Sequence, residues 1–106
     1  MESCVFCKIA AGSLPAEKVY EDDEMIVIPD KNPAAAIHLL FISKSHGEEF
    51  HSVDPGKLAR MLGKVREKIA ELKMAYRVAM NGMGATLVSN HLHIHLLEKV
   101  SADRPV

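Results

Sequence analysis

The chain has 106 residues, enough for one domain around one core and too few for a second. Its mix, 48% hydrophobic and 25% charged, is that of an ordinary globular protein and excludes a disordered or collagen-like chain, while a net charge of −1 provides no basic surface for nucleic acid. No apolar run approaches the ~20 residues of a membrane span, and the start, Met-Glu-Ser-Cys, lacks a basic segment followed by an apolar one. The expectation is a soluble cytoplasmic protein with no nucleic-acid or membrane partner, one domain over 1–106. Cys4 and Cys7 are too few and too close for a secreted disulfide framework, so a reduced pair is expected.

In chain order, Phe6 to Ala11 reads as a short helix stopped by Gly12 and Ser13, with Pro15 beyond. Lys18 to Tyr20 and Met25 to Ile28 read as strands joined by an exposed acidic turn, Glu21 to Glu24. Pro29 to Pro33 breaks the chain, and the largely apolar run Ile37 to Ile42 predicts a central strand covered on both faces. Asp54 as N-cap and Pro55 at the first helical position open the clearest helix. Its stripe is Leu58, Met61, Leu62, Val65, Ile69 and Leu72, and Lys57, Arg60, Lys64, Glu67, Lys68 and Glu71 stand elsewhere around it. Tyr76 to Met80 and Asn90 to Val100 supply the last two strands. The order α-β-β-β-α-β-β lacks the alternation that parallel crossovers need, so the predicted class is α+β, a five-stranded antiparallel meander with one long and one short helix.

Six histidines remain to be explained, and three fall in Asn90-His91-Leu92-His93-Ile94-His95-Leu96-Leu97. In a strand, His91, His93 and His95 share one face roughly 7 Å apart, and Leu92, Ile94 and Leu96 share the other. The leucine face is expected to pack under the long helix, leaving the imidazoles solvent-accessible. Imidazole titrates near neutral pH and serves as nucleophile, acid, base or metal ligand, so the row is a candidate site. A metal-dependent hydrolase using His38, His91, His93 and His95 as ligands is one reading of it. Phosphoryl chemistry, with one imidazole attacking phosphorus and its neighbours binding the oxygens, is another. Cys4-Val-Phe-Cys7 has the spacing of a zinc half-site and needs two more ligands. His51 fits no group and is left as a surface residue.

The run His-Leu-His-Ile-His-Leu-Leu resembles the histidine triad signature, His-φ-His-φ-His-φ-φ with φ apolar. Cys-Val-Phe-Cys-Lys-Ile, Gly12 to Val19, Ile28 to Pro33, His38 to Ile42 with Ser-Lys-Ser-His46, and Asn81 follow in the order of that family's Hint branch. The resemblance implies a nucleotide hydrolase or transferase that cleaves AMP conjugates of the adenosine phosphoramidate type at the α-phosphate, through a nucleotidyl-histidine. It implies His93 as nucleophile, His95 on the phosphate oxygens, and His91 and His38 completing the catalytic histidines. Asp30 would hold the ribose hydroxyls of a purine nucleotide and Asn81 the phosphate and leaving group. Zinc held by Cys4, Cys7, His46 and His91 is implied likewise, as is a homodimer, to which the strand from Tyr76 offers an edge. Where many members carry Gln and a small polar residue before the triad, this chain has Leu87 and Val88, so either Ser89 or Asn90 takes over the leaving-group contacts, or the substrate differs, or turnover is low. The alternative is a catalytically weak module that binds a nucleotide or a partner.

Overall fold

The computed structural model describes residues 4–82 and 91–98. Helix α1 spans Val5–Ala10 and α2 Pro55–Leu72, and the strands are β1 Tyr20–Glu21, β2 Met25–Pro29, β3 His38–Ser43, β4 Tyr76–Ala79 and β5 His93–Glu98. All pairings are antiparallel, in the order β1-β2-β3-β5-β4. The meander runs through β3; α2 then carries the chain to the far edge as β4, and β5 returns between β3 and β4. Side chains explain the placement. Tyr76 and Val78 of β4 are exposed, as an edge permits, whereas Ile94 and Leu96 of β5 are fully buried.

Period-two alternation sorts the sheet into two cores. Met25 and Val27, Leu39 and Phe41, and Leu92, Ile94 and Leu96 pack with Met61 and Val65 of α2. Ile26 and Ile28 with Leu40 and Ile42 face the other way, onto Cys4, Phe6 and Ile9 around α1. Both faces of β3 are covered, as its apolar run predicts. Burying Met61 and Val65 contributes about 1.5–3 kcal/mol each relative to exposure. The stripe is narrower than expected, because Leu62 and Leu72 are each 36% exposed. Lys57, expected on the polar side, is buried instead.

Local chemistry fixes the element ends. The Asp54 carboxylate accepts from the Lys57 backbone N–H at 2.9 Å, and Pro55 follows with no hydrogen bond lost. Within the acidic turn, Asp22 accepts from the backbone N–H of Glu24 and Met25 at 2.8 and 2.9 Å, so it organises the hairpin rather than merely solvating it. Gly12 ends α1 in the left-handed region, φ +80°. Among the described residues no helix is long and apolar enough to cross a membrane.

Candidate active site and metal cluster

The histidine face of β5 lies under α1 rather than in open solvent. His91 and His93 are each 3% exposed, and the Phe6 ring meets both edge-on, at centroid distances of 5.5 and 4.8 Å. The expectation of solvent-accessible imidazoles is corrected here, because the amino-terminal helix supplies a second apolar layer.

Each ring has a different set of partners, and these fix where its hydrogen sits. The Ala34 backbone N–H donates to His38 Nδ1 at 3.1 Å, so in the neutral ring His38 carries its hydrogen on Nε2. That N–H donates to His95 Nδ1 at 2.9 Å, which places the hydrogen of neutral His95 on its own Nε2. His93 Nδ1–H donates to the His91 carbonyl at 2.8 Å, so His93 Nε2 carries the lone pair. One neighbouring ring thus presents a nucleophilic nitrogen and the other an N–H donor. Burial, then the charges of His93 and His38, hold His95 below the ordinary histidine range, favouring its neutral form.

His93 and His95 line a cavity of about 640 Å³. Phe6, Ile9, Leu14, Ile28 and Leu40 form its apolar wall, while Asp30 and Asn81 stand among its polar lining. Asp30 uses one oxygen to accept from the Asn32 backbone N–H at 2.9 Å and holds the other 3.4 Å from His38 Nε2. The apolar wall was not legible as a site. Its residues read as ordinary helix and strand cores, and only the layering around α1 turns them towards one space.

His91 faces elsewhere. Its Nε2–H donates to the Ser43 carbonyl, which leaves Nδ1 as a lone pair 3.3 Å from Cys4 Sγ and 3.5 Å from Cys7 Sγ. His46 Nδ1 lies 3.2 Å from Cys7 Sγ, and the four ligand atoms are all within 4.8 Å of one another. Tetrahedral zinc, with bonds of ~2.3 Å to sulfur and ~2.0–2.1 Å to nitrogen, sets S···N edges near ~3.5 Å, so the donor set and its spacing fit a closed structural site. The histidines of the metal-hydrolase reading, in contrast, do not converge. His91 belongs to the cysteine cluster, and the other close group, Asp30, His38 and His95, contains an Nε2–H on His38 that cannot ligate while the ring is neutral. His51 is exposed and belongs to neither group. Ser89 and Asn90, with Leu87 and Val88, lie outside the described residues.

The family model for the scavenger mRNA decapping enzyme C-term binding region matches residues 3–104. Protein HitA of Neisseria gonorrhoeae is 40% identical over 104 residues, 92% of this chain and 96% of that protein. The chain belongs to the histidine triad family. Another triad relative, adenosine 5'-monophosphoramidase HNT1 of Candida albicans, is 34% identical over 107 residues, 92% of this chain and 70% of that one. Among solved triad folds, a HIT family hydrolase from Clostridium thermocellum superposes with a TM-score of 0.83 at 34% identity, covering 100% of this chain and 98% of its own. A Zn-bound histidine triad family protein from Mycobacterium smegmatis gives 0.77 at 31% identity, covering 97% and 79%.

Proposed function

We propose that this triad domain is a nucleotidyl hydrolase acting on AMP conjugates of the adenosine phosphoramidate type. The observation that carries the reading is the pair of opposite hydrogen placements on His93 and His95 at the wall of one cavity. His93 Nε2 attacks the α-phosphorus, and a nitrogen–phosphorus bond forms as the bond to the leaving group breaks, the leaving atom taking from solvent a proton that the attacking water gives back in the second step. His95 Nε2–H donates to a phosphate oxygen, where charge develops, and the His91 carbonyl steadies the hydrogen left on His93 Nδ1. Water then cleaves the nitrogen–phosphorus bond, releasing the mononucleotide and the neutral ring. His38, held by a backbone N–H, keeps His95 in its donor form; Asp30 is assigned to the ribose hydroxyls, Asn81 and Ser89 to the phosphate and leaving group, and the apolar wall to the base. The decisive experiment is quenching of the protein in alkaline denaturant during turnover of an adenosine phosphoramidate, because a histidine nitrogen–phosphorus bond survives base and is lost in acid, followed by digestion and peptide mass spectrometry at alkaline pH. One adenylyl group on the peptide containing His93 is expected, and turnover with adenylylation elsewhere, or none, overturns the mechanism.

The same reading assigns a structural zinc to Cys4, Cys7, His46 and His91. Bound there, zinc supplies folding energy and no open coordination position. Residues 4, 7 and 46 lie far apart in sequence from residue 91, so closing the cluster ties the amino terminus to β5. A homodimer through β4 completes the proposal. Tyr76 and Val78, 57% and 39% exposed, share one face of that edge strand. A monomer mass in solution at micromolar concentration overturns the dimer and leaves the site intact.

A further inference from the structure

We propose that Lys57 is a positioning residue for the histidine strand, acting through Glu48 and Ser43 from the opposite layer of the fold. A lysine is rarely buried unless its charge is paired, and Lys57 is only 7% exposed in the first turn of α2. Its ammonium donates to Ser43 Oγ at 2.7 Å and to the two Glu48 oxygens at 2.9 and 3.1 Å, so its three hydrogens have three acceptors. Ser43, fully buried at the end of β3, is the joint. Its hydroxyl accepts from Lys57 and from the Ser45 backbone N–H, and donates to Glu48. Its backbone N–H donates to the Leu92 carbonyl at 3.0 Å, and its carbonyl accepts from His91 Nε2–H. Each polar atom of this one serine is therefore spoken for, the hydroxyl by the ion pair and its turn, the backbone by the histidine strand.

Geometry follows from that joint. The turn from Ser43 to Glu48, closed by these side chains and by Gly47 at φ +90°, carries His46 to Cys7. The direction of the Ser43 carbonyl decides which nitrogen of His91 bears the hydrogen, and so which one points its lone pair at Cys4 and Cys7. The His91 carbonyl in turn accepts from His93, so the influence of Lys57 ends on the ring proposed as the nucleophile. Net stability is a weak explanation for such a pair, since apolar replacement of both partners in a buried ion pair is often neutral or stabilising. Orientation of the strand end is what an apolar pair cannot supply.

The experiment replaces both charges by apolar side chains of similar length, Lys57→Met with Glu48→Leu, and reads the His91 ring in metal-free protein labelled with nitrogen-15 at histidine. The parent is expected to hold one Nε2–H form. In the double variant, with melting temperature close to that of the parent, the ring is expected to populate both forms, and zinc affinity measured by chelator competition to fall about 10–100-fold, the usual consequence of losing a partner behind a ligand. A double variant that keeps the parent His91 signal overturns the proposal. Should it fail to fold, Ser43→Ala severs the ion pair from the strand while leaving Lys57 and Glu48 in place, and the same ring signal decides. Only the zinc measurement rests on the metal reading above: a parent that binds no zinc overturns that reading, and the ring still judges Lys57.

Discussion

The two ends of the histidine strand carry the same side chain and do different things. His91 is enclosed, with one nitrogen on a backbone carbonyl and the other among two thiols. His95 is only half-buried on the cavity wall, with one nitrogen on His38. Burial is the largest influence on both, lowering each below the ordinary histidine range, yet one ring is left as a lone pair suited to a metal and the other as an N–H suited to an anion. Alternation along a strand decides which face a ring occupies. The atoms that neighbouring elements place against it decide which nitrogen does chemistry.

The largest expected effect separates the ends outright. His93→Ala should lower turnover of an adenosine phosphoramidate by at least ~10³-fold, about 4 kcal/mol of transition-state stabilisation, with zinc content unchanged. Near-parental turnover by the folded variant would dissolve the covalent mechanism. Next in size, Cys4→Ser or His46→Ala should lose zinc and thermal stability together while losing far less turnover than His93→Ala. For a chain of this size each 1 kcal/mol of lost stability moves the melting temperature by about 4–8 °C. An unchanged melting point with zinc absent from the parent would end the distinction between a structural and a catalytic end.

Much of this is legible in the amino-acid sequence. The alternation from His91 to Leu96 predicts a strand and sorts its faces, the regular strand itself running His93–Glu98, and the Asp54-Pro55 start predicts the long helix, because both depend on local periodicity and capping. The cysteine pair, His46 and His91 come together as the family resemblance implied. Three features were hidden. The cover over the imidazoles depends on where a six-residue helix docks, which its own sequence does not encode. The ring hydrogens depend on backbone atoms of Ala34, Ser43 and His91, and a backbone atom has no letter in the sequence. Lys57 looked like one more surface charge beside the stripe, and only Glu48 and Ser43, nine and fourteen residues away, make its burial possible.

A smaller effect sharpens the cavity end alone. Asp30→Asn should weaken adenosine nucleotides about tenfold, near 1.4 kcal/mol, and hardly affect an analogue lacking the ribose hydroxyls, because a carboxylate accepts from hydroxyl donors more strongly than an amide does. Equal losses for both sugars in calorimetric titration would assign Asp30 to the turn it forms with Asn32, or to His38, instead of to the sugar.

The smallest expected effect is a displacement along the pH axis, and its direction follows from the His38–His95 hydrogen bond. Unfolded His95 takes its proton near the ordinary value of 6.5 and the folded ring only at lower pH, so as pH falls the unfolded state binds the proton first. Stability from this ring is full above 6.5 and is lost as pH falls from there through the folded value. Activity has the same acid boundary for a geometric reason. A proton added at His95 Nδ1 puts a second donor against the His38 N–H at a separation of 2.9 Å, and the paired arrangement cannot survive. With a substrate that does not itself titrate in this range, the acid limb of kcat/KM should therefore have its midpoint below pH 6.5. The Asp30 carboxylate favours the protonated ring, so Asp30→Asn should move the acid limb to still lower pH even as it lowers the plateau. A parental limb at or above 6.5, or a variant limb displaced upward, would mean that a group other than His95 sets the acid boundary, and the proposed donor at the cavity wall would have to be sought elsewhere.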